Sequence, residues 1–502
     1  MTALARVISH PPPVPGLAAR SPLHGLERRS VGFVDVLAQS VAAVAPSAAA
    51  TTIPLLVAVV AGGAQIWALV LATALALLVA MNVNQFTKRI AATGSLYTFV
   101  SQGLGAGAAF VTGIAMLLGY AFISMFALAG AGYYLAILTH RLWPAGAHSP
   151  LGTSVAIAGL AGLVALVLTR GIRLSTRVAL VVEAASVAII LVLVGALVAH
   201  TGPAVQWSAL SLHSATPQNL SVGTVLALTA FVGFESSATL GVEAKRPFAT
   251  IPRALVWTVV ASGVLYLLAA YGQLVGFASL GLDFAGSDSP VNDLANASGL
   301  PWMGLLLDLS IAASFLACAI ASTTALSRVM FSMGRDGLLP DAFGRTHPVH
   351  HTPFFALVVA VPVIAAVPVG CMIAGMGLWD TMEMLIVVAA AGFITAYFMV
   401  CAAAPVFLRR IGEHTVGAGA ASVITCILLA AVFGVYLVTE STTVRSPGVL
   451  LFGAMMVGGV GVYALRLRRN PWLRESIGVH DEPVQHDVLG GAPAESASRA
   501  GS

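Results

Sequence analysis

The chain has 502 residues, of which 58% are hydrophobic and only 9% are charged, and its formal net charge is +4. Soluble domains carry about 25% charged residues, so this composition excludes an ordinary soluble protein and predicts a polytopic membrane protein. The small basic excess is explained by membrane topology, so no nucleic-acid partner is expected.

Apolar segments long enough to cross a bilayer occur twelve times along the chain. A transmembrane helix needs roughly 20 apolar residues to cover the hydrocarbon layer. The predicted spans are 33–60, 65–86, 106–137, 152–169, 177–199, 222–242, 255–278, 302–330, 354–373, 379–405, 417–438 and 447–467. The polar segments 1–30 and 471–502 are predicted to be disordered tails.

The basic residues fall almost entirely on one side of these spans. If the N-terminus is cytoplasmic, only Arg141 and Arg445 of the 24 Lys and Arg residues lie on the outer side. Short loops rich in Lys and Arg stay in the cytoplasm. We therefore expect a multi-pass plasma-membrane protein with both termini in the cytoplasm, surrounded by the lipid bilayer.

Two of the predicted spans are interrupted at corresponding positions. Pro46 lies in the middle of the first span, where it removes a backbone donor and crowds the preceding turn. Gly233 lies in the sixth span, five spans later. Paired breaks of this kind predict two inverted five-span repeats over residues 31–410, with the binding site at the bilayer midplane. The eleventh and twelfth spans, in 411–470, are then peripheral.

An opened helix exposes backbone donors and acceptors that lipid cannot satisfy. Because a helix N-terminus attracts anions, the second half of the first span should offer free amides to a carboxylate. These amides belong to Ser47, Ala48 and Ala49, and the carbonyls expected to bind an ammonium group belong to Ala45, Thr229 and Val232. A zwitterionic amino acid fits this pair of breaks. The alternative is that Pro46 and Gly233 are packing kinks.

Two carboxylates lie within predicted spans, where a charge is costly and usually functional. Glu235 follows Gly233 closely, and we expect it to act as a gate or a proton carrier. Glu183 lies in the fifth span, where it is either a coupling or gating carboxylate or the partner of Arg173 or Arg177 in an interfacial salt bridge.

Several motifs resemble those of the amino acid–polyamine–organocation (APC) permease superfamily. The sixth span and its exit contain Gly-Phe-Glu-Ser from Gly233, then Glu-Ala-Lys-x-Pro and Ile-Pro-Arg-Ala. Further matching stretches begin at Thr93, Gly171 and Ser327, and the last of them includes the Arg-Asp-Gly-Leu-Leu-Pro run from Arg335. The resemblance covers about residues 30–410.

The resemblance implies a LeuT-like fold, with ten core helices in two inverted repeats, discontinuous first and sixth helices and two peripheral helices. It also implies that the substrate binds the backbone amides and carbonyls named above. In the family an aromatic side chain of the sixth helix closes over the substrate, and here this would be Phe231 or Phe234. The first span departs from the common Gly-Ser-Gly run, because it reads Ala45-Pro46-Ser47-Ala48.

A second ion site is a further possibility that these motifs raise. In some family members a lysine in the fifth helix occupies the place of the sodium ion of sodium-coupled relatives. The corresponding position here is Ser186, so this chain has no such lysine. Ser322 and Thr323 end a small polar stripe on the eighth span that faces either this region or a tightly packed helix neighbour.

These features together predict a secondary active transporter of amino acids or related amines that works by alternating access, with proton coupling or exchange. A polyamine or organic-cation permease of the same fold is the alternative, and a channel or a transporter-like sensor is a weaker one. The sequence has no GxxxxGK[ST] loop, so ATP-driven transport is excluded. No enzyme activity, cofactor or metal site is predicted.

Overall fold

The computed structural model describes residues 20–142, 150–201, 216–282, 284, 287, 290–299, 301–441 and 447–484. Within these ranges the regular elements are helices, and β-structure is limited to one isolated bridge between Val31 and Ala244. The α-helices are α1 (Phe33–Val44), α2 (Pro46–Ala61), α3 (Gln65–Thr87), α4 (Leu96–Leu104), α5 (Ala106–Leu142), α6 (Pro150–Thr169), α7 (Ile172–Thr201), α8 (Pro217–Thr229), α9 (Pro247–Leu280), α10 (Pro290–Ala297), α11 (Pro301–Arg335), α12 (Phe354–Ile373), α13 (Leu378–Arg410), α14 (Val416–Thr439), α15 (Pro447–Arg469) and α16 (Leu473–Ser476).

The prediction of an all-α membrane protein is confirmed. Among the described residues, 10 helical stretches are long and apolar enough to cross a membrane. The stretch Phe33–Thr87 contains the predicted first and second spans, and α7 covers the predicted fifth. The total of twelve spans and the inverted repeat stay predictions.

The first span is interrupted between α1 and α2. Ala45 has left-handed backbone angles, φ 49° and ψ 58°, and Pro46 is the first residue of α2. Proline fits there because its missing amide hydrogen is not needed in the first turn of a helix. The chain therefore stops one helix and starts another at membrane depth, as Pro46 predicted.

The sixth span is interrupted at the residue that the sequence indicated. α8 ends at Thr229, and a 3-10 helix begins at Phe234 and ends at Leu240. Gly233, between them, has φ 94°, which a residue with a side chain rarely adopts. A Cβ atom at Gly233 would lie 3.2 Å from both the Cβ and the carbonyl oxygen of Ala43. The two interrupted helices therefore touch at their breaks.

The long helix α5 packs against both α11 and α13 in the centre of the bundle. The last two apolar helices, α14 and α15, are less buried than these central helices. In the most apolar window of α15 only 6% of residues are buried, against 78% for α13. Exposed Leu450, Val457 and Leu465 on α15 provide an apolar surface that suits lipid contact.

The chain segments that flank the bundle are ordered where they are described. The polar composition of 1–30 and 471–502 predicts disorder, but Ser21 and Leu26 are buried, and so are Leu473 and Val484. The prediction is wrong for 20–30 and 471–484, because polar groups in these segments bind each other and the helix ends. Residues 1–19 and 485–502 lie outside the described residues.

Asp481 joins these two segments. Its carboxylate accepts hydrogen bonds from Ser21 Oγ at 2.6 Å and from Arg29 at 2.8 Å, and it also pairs with Arg28 at 3.1 Å. Its amide donates to the Ala91 carbonyl at 2.8 Å. The N-terminal segment, the C-terminal segment and the loop before α4 are thus held together by one residue.

Asp336, directly after α11, fixes the C-terminal segment to the bundle. Its carboxylate accepts the Gly478 amide at 2.9 Å, the Val479 amide at 3.2 Å and the hydroxyl of Tyr97. Burial raises the pKa of Asp336 to about 6, although hydrogen bonds from Gly478, Tyr97 and Val479 act in the opposite direction. This aspartate belongs to the Arg-Asp-Gly-Leu-Leu-Pro run.

Candidate functional site

The site at the first break is built around Glu183. Its Oε1 atom accepts hydrogen bonds from the Ser47 amide and the Ser47 hydroxyl, each at 2.9 Å. The Ala48 amide donates to Ser314 Oγ at 3.2 Å. Glu183 on α7 and Ser314 on α11 are both at most 1% exposed. The first two amides expected to be free are therefore bound to side chains of the protein itself.

The third expected amide is bound to the main chain. The Ala49 amide donates to the Ala45 carbonyl at 3.0 Å and closes the first turn of α2. The prediction that Ala49 is free is therefore wrong, because the helix after Pro46 forms a full hydrogen-bonded turn at once. The same bond occupies Ala45, which was predicted to accept from an ammonium group.

The break of the sixth span is also partly satisfied by its own turns. The Thr229 carbonyl, predicted as a substrate acceptor, accepts the Val232 amide at 3.2 Å. The hydroxyl of Tyr266 on α9 donates to the Ala230 carbonyl at 2.7 Å. A local turn thus binds the Thr229 carbonyl and the Tyr266 side chain binds the Ala230 carbonyl, although an opened helix was expected to leave such carbonyls free.

Glu235 lies in a separate, fully enclosed arrangement. Its carboxylate accepts from Tyr120 on α5 at 2.7 Å and from Tyr397 on α13 at 2.5 Å. The Tyr397 hydroxyl also accepts the Gly233 amide at 3.3 Å. Glu235 therefore connects the break of the sixth span to two other helices, in the way expected of a residue that controls the position of this break.

Both candidate lid aromatics are buried beside the breaks. Phe231 packs edge-on against Tyr266, with ring centroids 5.1 Å apart, and Phe234 lies 5.5 Å from Tyr397. The carbonyl of Phe234 accepts the Ser40 hydroxyl at 2.5 Å, which links it to α1. The geometry places both rings near the breaks and leaves the choice of lid between them open.

The residues proposed for a second ion site are not brought together. Ser186 donates to the Ser310 carbonyl at 3.0 Å, near the start of α11. Ser322 lies twelve residues further along α11, about 18 Å away at 1.5 Å per residue, and Thr323 follows it. The prediction of one site containing Ser186, Ser322 and Thr323 is therefore wrong. The spacing of small residues along one helix shows that they share a face. It does not show which of them lies level with a given residue of a neighbouring helix.

Two ion pairs, each with a buried carboxylate, lie toward opposite ends of α11, although the Arg141 side chain is 34% exposed. Arg328 binds Glu243 through two hydrogen bonds of 2.7 and 2.8 Å, and both side chains are at most 3% exposed. At the other end, Asp308 pairs with Arg141 of α5 at 2.8 Å and accepts from Asn292 at 2.8 Å. Along α11, these pairs lie on either side of Ser314 and Cys318, which contact the first break.

Several of these residues were missed by sequence reasoning. Tyr120 and Tyr397 were not selected, although each is a polar side chain in an apolar span. Gln273, whose Nε2 donates to the Ala50 carbonyl at 2.8 Å, carries the same signal. A search for every hydrogen-bonding side chain at mid-span would have found them. The same criterion would also select the many serines and threonines whose hydroxyl groups donate only to a carbonyl of their own helix.

Comparison with known proteins gives the family. The amino acid permease family model matches residues 35–456. Among curated relatives, the branched-chain amino acid permease BcaP of Bacillus subtilis is 26% identical over 60% of this chain and 66% of its own length. A methylthioribose transporter of the same species is 27% identical over 59% and 64%. The mouse cationic amino acid transporter 4 is 26% identical over 68% and 53%.

The match therefore spans between half and two thirds of the length of these relatives. The family model, in contrast, covers most of this chain and both interrupted helices. The superfamily resemblance seen in the sixth span and around Arg335 is thus confirmed. The chain belongs to the amino acid permease family of the APC superfamily, whose members are transporters with a LeuT-like fold and not enzymes.

Proposed function

We propose that this chain is a secondary active transporter that moves amino acids or closely related amines across the plasma membrane by alternating access. Both termini lie in the cytoplasm, and transport is coupled to protons or to exchange of a second substrate. The contact between the two breaks, at Gly233 and Ala43, is the observation that carries this proposal.

Alternating access is supported by the ion pairs at the two ends of α11. One pair, Glu243 with Arg328, joins the exit of the sixth span to the eighth. The other, Arg141 with Asp308, joins the third span to the eighth. A transporter must open one end while the other stays closed, and separate pairs at each end allow this. A channel would instead need a continuous polar path.

A polyamine or organic-cation permease is the second candidate. It is favoured by the two buried carboxylates, Glu183 and Glu235, which face partners of polar but uncharged character in the described part of the chain. The names of the relatives point to branched-chain amino acids, cationic amino acids and methylthioribose. No single substrate follows from such a mixed set.

Uptake into proteoliposomes tests the proposal. Purified protein is reconstituted and supplied with radiolabelled amino acids and amines, with and without a pH gradient, inside acidic or outside acidic. We expect accumulation above the external concentration that depends on the gradient or on a preloaded substrate. Uptake that only equilibrates would favour a channel, and the absence of any uptake or binding would favour a sensor.

A further inference from the structure

The anion-binding position at the start of α2 is filled by a carboxylate of the protein. Glu183 Oε1 accepts from both the amide and the hydroxyl of Ser47, and Ser314 takes the next amide, that of Ala48. A helix N-terminus is a general binding position for carboxylates, because its amides point outward and its dipole end is positive. In the described structure a substrate carboxylate would have to compete with Glu183 for these groups.

The second oxygen of Glu183 differs from the first, because it has no hydrogen-bond donor. Glu183 Oε2 is buried and receives no hydrogen bond in the part of the chain that the structure describes. Gln273, which binds α2 through Ala50, likewise has a buried Oε1 without a donor. Buried acceptors are almost always paired, so acceptors left without a donor beside a break indicate that a donor is brought in from outside. A protonated amine carries up to three such donors.

The charges around the break agree with this assignment. The described arginines that pair with buried carboxylates bind groups other than Glu183: Arg328 binds Glu243, Arg141 binds Asp308, and Arg28 and Arg29 bind Asp481. Among the side chains that the structure describes, Glu183 is bound by Ser47 and makes no ion pair with a Lys or Arg. An incoming carboxylate would meet a like charge without a compensating cation, whereas an incoming ammonium group would meet its counter-ion.

We propose that Glu183 is the resident counter-ion of the substrate and that it selects a cationic amine without a free carboxylate over the corresponding amino acid. This inference rests on the proposed transport function and narrows its substrate class. Glu183 acts as a specificity-determining residue, because it holds the amides that would otherwise receive a substrate carboxylate and offers its free oxygen to the ammonium group.

The test is binding of matched ligands to the full-length protein in detergent or nanodiscs, measured by calorimetry and by the shift in Tm. Each set contains an amine, the amino acid of the same side chain and its carboxamide, for example isopentylamine, leucine and leucinamide, or cadaverine, lysine and lysinamide. We expect at least one amine and its matched carboxamide to bind at least tenfold more tightly than the parent amino acid.

Amino acids that bind as tightly as their matched amines would overturn the inference while leaving the proposed transport function intact. Binding of no ligand from any set would instead remove the proposed function, and this inference with it. The two failures are therefore distinguishable in one experiment, which uses the wild-type protein and does not depend on the folding of a variant.

A variant then assigns the selectivity to this residue. Glu183→Gln keeps the size of the side chain and removes its charge, so the ratio of amine to amino acid affinity should fall at least tenfold. Glu413→Gln, at an exposed pair with Arg89, is the matched control and should leave the ratio unchanged. An unchanged ratio in Glu183→Gln would contradict the assignment, because loss of stability alone weakens both ligands alike.

Discussion

Tyr397 donates its hydroxyl hydrogen to Glu235 at 2.5 Å and accepts the amide of Gly233 at 3.3 Å. One tyrosine on α13 therefore holds both the break of the sixth span and the carboxylate beside it. Because Gly233 also packs against Ala43 of α1, this tyrosine lies beside the contact between the two interrupted helices.

Replacing this tyrosine should loosen the break without creating a large cavity. Tyr397→Phe removes a hydrogen bond to the buried Glu235 carboxyl group and one from the Gly233 amide, and it should destabilise the protein by about 1 to 3 kcal/mol. Thermal unfolding in detergent measures the effect. Tyr463→Phe, whose ring stacks on Phe110 in a half-buried position, is the control. Equal Tm values for the two variants would contradict a holding role for Tyr397.

Removing the charge of Glu235 tests its role in coupling. Glu235→Gln keeps a group that can bond to Tyr120 and Tyr397 but cannot carry a proton across the membrane. We expect exchange of preloaded substrate to continue, and uptake driven by a pH gradient to fall at least tenfold. If gradient-driven uptake in this variant equals that of the wild type, Glu235 is a gate and not a proton carrier.

The ion pair of Glu243 and Arg328 should be strongly sensitive to loss of one partner. Arg328→Met leaves the Glu243 carboxylate buried without its counter-ion, which costs about 3 to 5 kcal/mol. The double variant Glu243→Gln with Arg328→Met should recover part of this loss. The same single change at Arg89, in an exposed pair with Glu413, should cost less than about 1 kcal/mol.

A double-mutant cycle that adds the single variant Glu243→Gln and compares the free energies of unfolding measures the coupling of this pair. A coupling close to zero between positions 243 and 328 would show that the pair does not contribute to closure of this end.

Asp336 predicts a pH dependence of stability with a definite sign. Burial raises its pKa to about 6, so the folded state favours the protonated form more than the unfolded state does. This contribution is fully present below pH 3.8 and is lost as the pH rises through about 6. Acidification from pH 7.5 to 5 should therefore stabilise the wild type by about 1 kcal/mol relative to Asp336→Asn.

Parallel measurements of Tm against pH for the wild type and the variant isolate the contribution of Asp336 to the pH dependence of stability, because the other groups titrate equally in both. Asp341→Asn, at an exposed aspartate five residues later, is the matched control and should follow the wild type. A wild-type curve that falls on acidification relative to Asp336→Asn would contradict the assigned direction.

The docked C-terminal segment can be removed without touching a transmembrane helix. A chain that ends after residue 470 loses the partners of Asp336, Arg28 and Arg29 and should unfold at a lower temperature. A chain that ends after residue 484 keeps every described contact and serves as the control. The same Tm for both truncations would show that the segment does not stabilise the bundle.

The breaks could be predicted because their cause is local. Pro46 and Gly233 act on their own backbone, so a single sequence is enough to place them. The partners of the carboxylates were not predictable, since Glu183 and Ser47 are 136 residues apart in the chain. The order of the terminal segments was missed for the same reason, because Asp481 is stabilised by Arg28 and Arg29, which lie at the other end of the sequence.

The position of Asp481 has a consequence for biosynthesis. The ribosome makes Arg28 and Arg29 before the described transmembrane helices and makes Asp481 after them, so both arginines lack this partner while those helices are being synthesised. The contacts of Asp481 with Arg28 and Arg29 therefore form only after the described helices α1 to α15 have been synthesised. A chain truncated before Asp481 would therefore lack the contact that joins the two terminal segments.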